Sequence, residues 1–208
     1  MPNYYDRLLE QAKEGKRLPD NAVTSIRQQL STGRFETDPY TLIHILGKAG
    51  DKESLPIIKE YVDFDTGDAE SDDMIRRIAL QVIGRMWAIP EALDLAISKA
   101  FSDPSKYVRA AAAKIVGFLG SRYPQLKAKA AAALLDGVQR RNELDAYTWE
   151  SFYEGLLELL EVPVFDWPSR LAPIKETDVR RDLIERARRI AEQKNRKIVQ
   201  GQQMDEWE

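Results

Sequence analysis

The chain has no cysteine and a single histidine. The first absence removes disulfides, thiolate metal ligands and cysteine nucleophiles together; it leaves the compartment open, with reducing cytoplasm the default expectation. The second leaves little room for imidazole chemistry. No apolar run approaches the roughly 18 residues that a membrane span needs. The opening residues MPNYYDRLLE carry Asp6 and no apolar core of leader length, so export by a cleaved signal is not expected. Neither charge sign dominates: 31 Lys and Arg face 34 Asp and Glu, for a net charge of −3. No global positive field therefore recruits nucleic acid or anionic lipid. Alternating β-branched runs are also missing, which argues against a sheet.

What is present is helical periodicity. At 43% hydrophobic residues, a 208-residue chain can bury a real core, and its apolar positions recur at three and four nearly throughout. A first helix is expected over Asn3 to Glu14, with Tyr5, Leu8, Leu9 and Ala12 on one stripe and Gly15 as its stop. A second runs from about Pro19 to Leu30, capped by Asp20 or Asn21, with Val23, Ile26 and Leu30 inward and Ser31-Thr-Gly33 as its end.

From residue 38 a longer unit repeats. Asp38-Pro39 opens a helix through Gly47, and Lys52 to Val62 follows it; DDMIRRIALQVIGRM leads to EALDLAISKAF. DPSKYVRAAAAKIVGFLG leads to QLKAKAAAALLDGV, and DAYTWESFYEGLLELL precedes a last helix from about Thr177. A shift of 33 lays Ile75 on Val108, Arg76 on Arg109, Ala79 on Ala112 and Gly84 on Gly117, with acidic Glu70 on Asp103. Glycines fall at 47, 84, 117 and 155, one per first helix. Gly costs about 1 kcal/mol against Ala inside a helix. Its recurrence at one register implies that neighbouring backbones must come close there. Two helices per period of 33 to 38 residues mark an α-solenoid.

The run Asp103, Pro104, Val108, Arg109, Ala112, then Gly117, Leu119 and Gly120, resembles HEAT repeats. The match is good over 103–138, fair over 70–101 and degenerate over 38–62 and 145–162. The resemblance implies an all-α, right-handed α-α superhelix of about five helix pairs. It implies a single domain over 1–208: capping helices 1–33, repeats 38–162, a capping helix 165–198 and a polar tail 199–208. It further implies an Asp/Arg ladder between repeats, carried by Asp103, Arg109 and Arg76, with Glu70 the weaker candidate. An irregular helical bundle is the competing architecture.

His44 sits between apolar neighbours in TLIHILGKAG without a nucleophile or acid beside it, so a packing role is expected. The acidic stretch Asp63 to Asp73 holds six carboxylates but misses the calcium-loop pattern: its fifth position is Gly67, its sixth Asp68 and its twelfth Met74. It reads as a solvated inter-helix loop. From Arg170 to Lys197, ten basic residues stand against five acids, among them Arg180, Arg181, Arg186, Arg188 and Arg189. These read as the polar face of a capping helix whose inward stripe is Val179, Leu183, Ile184, Ala187 and Ile190. Of the aromatic residues Tyr147, Trp149, Phe152, Tyr153, Phe165 and Trp167, most are expected in the core, and any left exposed would suit a partner. No catalytic, cofactor-binding or metal-binding residue is assigned.

Solenoids bind through the extended face of their second helices. By the HEAT resemblance the partner-binding candidates are Glu53, Lys59, Glu60, Glu91, Asp94, Ser98, Lys127 and Lys129. Their mixed signs suit a protein partner better than a polyanion. The expected function is a monomeric, cytoplasmic, non-enzymatic protein-binding module using its concave face, such as an adaptor or a stoichiometric inhibitor or immunity protein. The alternatives are a HEAT-like DNA-binding protein or alkylbase DNA glycosylase and, with no feature selecting it, a bilin lyase.

Overall fold

A computed structural model describes residues 3–168 and 173–202; for Glu176 and residues 193–202 it describes the backbone but not the side chains. Among the described residues all regular structure is helical. In chain order the α-helices are α1 (Tyr4–Lys13), α2 (Asp20–Thr32), α3 (Pro39–Ala49), α4 (Leu55–Glu60), α5 (Ala69–Gln81), α6 (Ala92–Ser102), α7 (Lys106–Arg122), α8 (Lys127–Gln139), α9 (Ala146–Leu159) and α10 (Arg181–Gln202).

Polar caps set several helix starts. Asn3 and Asp6 exchange side-chain-to-backbone hydrogen bonds at the head of α1. Asp38 accepts from the Thr41 N–H at 2.8 Å with Pro39 pre-set for the first helical turn. Asp145 does the same for Thr148 at 2.9 Å. Gly33 and Gly50 end α2 and α3 in the left-handed conformation, which glycine enters without the Cβ penalty.

Four local expectations need correcting. The N-cap of α2 is Pro19, with no side-chain cap from Asp20 or Asn21. The helix expected over Lys52 to Val62 is a short α-helix between two 3-10 turns, Lys52–Ser54 and Tyr61–Asp63. The glycine-bearing end of the second repeat's first helix, Val82–Met86, is a π turn. The last helix starts at Arg181 rather than Thr177, after a 3-10 turn at Glu176–Asp178, and it continues into the stretch expected as a tail; residues 203–208 lie outside the described residues.

The chain divides into two compact units, Met1–Ala92 and Leu93–Glu208. In the first, α3 packs between α1 and α5, while α2 and α4 pack together as a second row. Its core is aliphatic, with Ile26, Leu42, Ile43, Ile45, Leu46 and Ile58 fully buried. Burial of such a side chain contributes about 1.5–3 kcal/mol. The buried amide of Gln29 is satisfied: it donates to the Tyr5 hydroxyl at 2.7 Å and accepts from the Glu36 N–H at 2.9 Å.

In the second unit α7 packs along α9, α8 packs on both, and α10 packs on α8. Phe152, Tyr153, Leu156 and Ile115 are buried there. The glycine notches meet backbone to backbone. A Cβ on Gly117 would lie 2.2 Å from the Gly155 carbonyl oxygen, and one on Gly155 would lie 2.7 Å from that of Ala113. No side chain fits at that crossing. Gly47, in the first unit, faces side chains instead: a Cβ there would lie 2.4 Å from Val82 Cγ2. Its carbonyl accepts from the Trp87 indole N–H at 3.1 Å. Gly84 is buried within the π turn.

Candidate functional site

Of the expected ladder residues, Glu70 and Arg109 lie in the first turns of α5 and α7, Arg76 lies in the middle of α5, and Asp103 lies just before α7. Arg109, one turn into α7, donates from Nη1 to the carbonyls of Asp103 and Pro104 at 2.7 and 3.0 Å. Its Nη2 donates to Asp145 Oδ2 at 2.7 Å, across to the cap of the next first helix. Asp145 was not among the expected ladder residues. Burial pushes its carboxyl up, but the Thr148 hydroxyl, the Arg109 guanidinium and the Thr148 N–H outweigh this and hold it at about 2.

Arg76, in the first unit, donates to the Phe64 carbonyl at 3.0 Å. Asp103 is buried beside Lys99 Nζ at 3.5 Å and accepts from the Ser105 N–H at 3.0 Å. Glu70 is exposed in the first turn of α5.

The eight partner-binding candidates divide between the two units. In the second, Asp94 and Ser98 on α6 are exposed, and Asp94 forms an ion pair with exposed Lys129 on α8. This pair links two successive second helices through exposed side chains. Lys127 is half-buried and pairs with Glu161 at 3.3 Å. In the first unit Lys59 and Glu60 are exposed at the end of α4, and Glu91 is exposed just before α6. Glu53 is exposed and accepts from Arg27 Nη2 at 3.0 Å.

Arg27 is a residue that periodicity missed. Its Nε donates to Asp51 Oδ2 and Ser54 Oγ at 2.9 and 3.0 Å, and Nη2 pairs with Asp51 as well. The link crosses 24 residues from α2 to the turn after α3, so no local pattern announces it. Asp51 lies in a mostly buried position. Desolvation alone would raise its carboxyl, and the Arg27 and Ser54 hydrogen bonds bring it below the ordinary value.

His44 is half-buried and edge-on to Tyr40, with ring centroids 5.8 Å apart. Burial lowers its basicity, with Lys48 and Lys13 adding to the effect. Among the described residues it has no hydrogen-bond partner and no nucleophile engaged with it. In the acidic loop, Asp72 is buried and accepts from Thr66 N–H and Oγ1 at 2.8 Å and from Gly67 N–H at 3.1 Å. That carboxylate ties down the loop. No group of three or more His, Asp or Glu side chains among the described residues is placed to hold a metal ion.

The aromatic residues divide. Trp149, Phe152 and Tyr153 are buried, Trp167 is half-buried, and Tyr147 and Phe165 are exposed. Tyr147 lies edge-on to exposed Tyr107, with centroids 5.7 Å apart. Of the basic residues on α10, Arg188 pairs with Glu185, and Arg180 just before the helix pairs with Asp182 at 2.7 Å. Leu183 and Ala187 supply its buried stripe, with Ile184 and Ile190 half-buried. Arg170 lies outside the described residues.

Within each unit first helices pack on second helices, and the second unit adds the Gly117–Gly155 crossing and the Arg109–Asp145 link, features of a helical-repeat scaffold. A family model of HEAT repeats matches residues 66–146. The chain is a HEAT-like repeat protein of the all-α solenoid class. No curated protein and no solved structure matches it. No helix among the described residues is long and apolar enough to cross a membrane.

Proposed function

We propose that this protein is a non-enzymatic protein-binding module that grips one partner through the exposed polar residues of its second helices. The supporting observation is the Asp94–Lys129 pair. Opposite charges stand together and exposed on adjacent second helices, and such a surface is complementary to a partner with its own mixed charges rather than to a polyanion. HEAT repeats commonly serve as scaffolds for protein interaction. An adaptor or a stoichiometric inhibitor, such as an immunity protein, is the form of this activity that suits a chain of 208 residues.

The test is affinity capture from source-cell lysate, run beside a fluorescence-polarisation titration with duplex DNA at about 50 and 200 mM salt. One stoichiometric protein band, with weak DNA binding, is the expected result. Tight DNA binding that falls steeply with salt would replace this reading with the nucleic-acid one.

A further inference from the structure

Within the first unit, a cleft of about 760 Å³ opens between the turn after α1, the start of α2 and the segment Lys48–Glu53. Five cations line it, Lys16, Arg17, Arg27, Lys48 and Lys52, against three carboxylates, Asp20, Asp51 and Glu53. Their pairings are unequal. Arg17 is matched by Asp20 at 3.1 Å, and Lys16 by Glu14 at 2.6 Å outside the lining. Lys48 and Lys52 have no ion-pair partner among the described residues.

Arg27 has two carboxylates, and they are held very differently. Asp51 and Ser54 grip the guanidinium from the protein side, and the Asp51 side chain is only 13% exposed. Glu53 touches it through one 3.0 Å contact from a side chain 83% exposed. An exposed contact of that kind adds little stability and is easily exchanged. The anchored Asp51 fork, by contrast, keeps Arg27 oriented, so a newcomer does not have to order it.

We propose that this cleft receives an acidic segment of a protein partner, one of whose carboxylates displaces Glu53 from Arg27 Nη2. Lys48 and Lys52 then neutralise neighbouring acids of the same segment. Glu53 acts as an internal placeholder: it occupies the site in the free protein and swings into water when the partner's carboxylate arrives. The inference rests on the protein-binding reading above and adds the chemistry of the segment recognised.

The experiment measures fluorescence anisotropy of a fluorescein-labelled hexaglutamate peptide against the full chain at low ionic strength. Replacing the placeholder, Glu53→Gln, should tighten binding about fivefold, whereas Glu143→Gln, the same charge change outside the cleft, should shift it less than about twofold. Lys48→Gln with Lys52→Gln should weaken binding about tenfold or more. All the substituted side chains are at the surface, and far-UV circular dichroism verifies the fold of each variant. Equal effects of Glu53→Gln and Glu143→Gln would reduce the result to net charge and overturn the proposal. So would an unchanged lysine double variant, or no peptide binding by either the wild-type or the Glu53→Gln chain. Loss of peptide binding alongside intact capture of a protein partner would sink the cleft and leave the broader reading standing.

Discussion

Arg109 Nη2 donates to Asp145 Oδ2 at 2.7 Å, tying the first turn of α7 to the cap of α9. The same carboxylate accepts from the Thr148 hydroxyl at 2.6 Å and from its N–H at 2.9 Å, so one side chain caps a helix and joins two repeats. Because the folded state holds Asp145 at about 2, below its ordinary value of 3.8, its stabilisation is fully present above about pH 4. It is lost as the pH falls through 2. Asp145→Asn should therefore cost on the order of 1–2 kcal/mol at pH 7, and the difference from wild type should shrink toward pH 2. Urea unfolding of both chains between pH 7 and 2 checks this; a difference that does not change with pH would show that the charge plays no part.

Gly117→Ala sets two effects against each other. Alanine gains about 1 kcal/mol of helix propensity, but its Cβ would lie 2.2 Å from the Gly155 carbonyl oxygen. The obstacle is backbone, so the two helices must move apart, and overpacking of this kind costs about 1–3 kcal/mol or more. The expected outcome is net destabilisation, read as a lower thermal midpoint. A raised midpoint would mean that α7 and α9 do not meet at these glycines.

Lys129→Glu places a like charge beside Asp94. The native pair is exposed on both sides, with side-chain accessibilities of 44% and 71%, so the stability change should stay within about 0.5 kcal/mol. Chemical denaturation measures it. A much larger loss would mark the pair as part of the scaffold rather than of a binding surface. The double reversal, Asp94→Lys with Lys129→Glu, restores the pair with its polarity swapped and should be as stable as wild type.

The helices were largely legible in the sequence because caps and periodicity are local. Asp38, Asp145, Gly33 and Gly50 each declare a helix end within four residues. Of the Arg109–Asp145 link, only Arg109 stood out in the sequence. Asp103 precedes Gly117 by 14 residues while Asp145 precedes Gly155 by 10, so aligning the repeats on their glycines puts the two aspartates out of register and conceals Asp145. The π turn at Val82–Met86 was invisible, since its apolar residues also suit an ordinary helix. The cleft was hidden for another reason: Arg27 on α2 and Asp51 after α3 lie 24 residues apart and come together only through tertiary packing. Exposure of Tyr107 and Tyr147 was equally beyond sequence, because helical spacing alone does not reveal which aromatic residues a neighbour covers.

The most direct test of the scaffold's proposed role is a calorimetric titration of the captured partner into the wild-type chain and into Lys129→Glu. The expected result is one-to-one binding by the wild type and an affinity at least about tenfold weaker for the variant, with helical circular dichroism unchanged. Equal affinities for the two chains would contradict it.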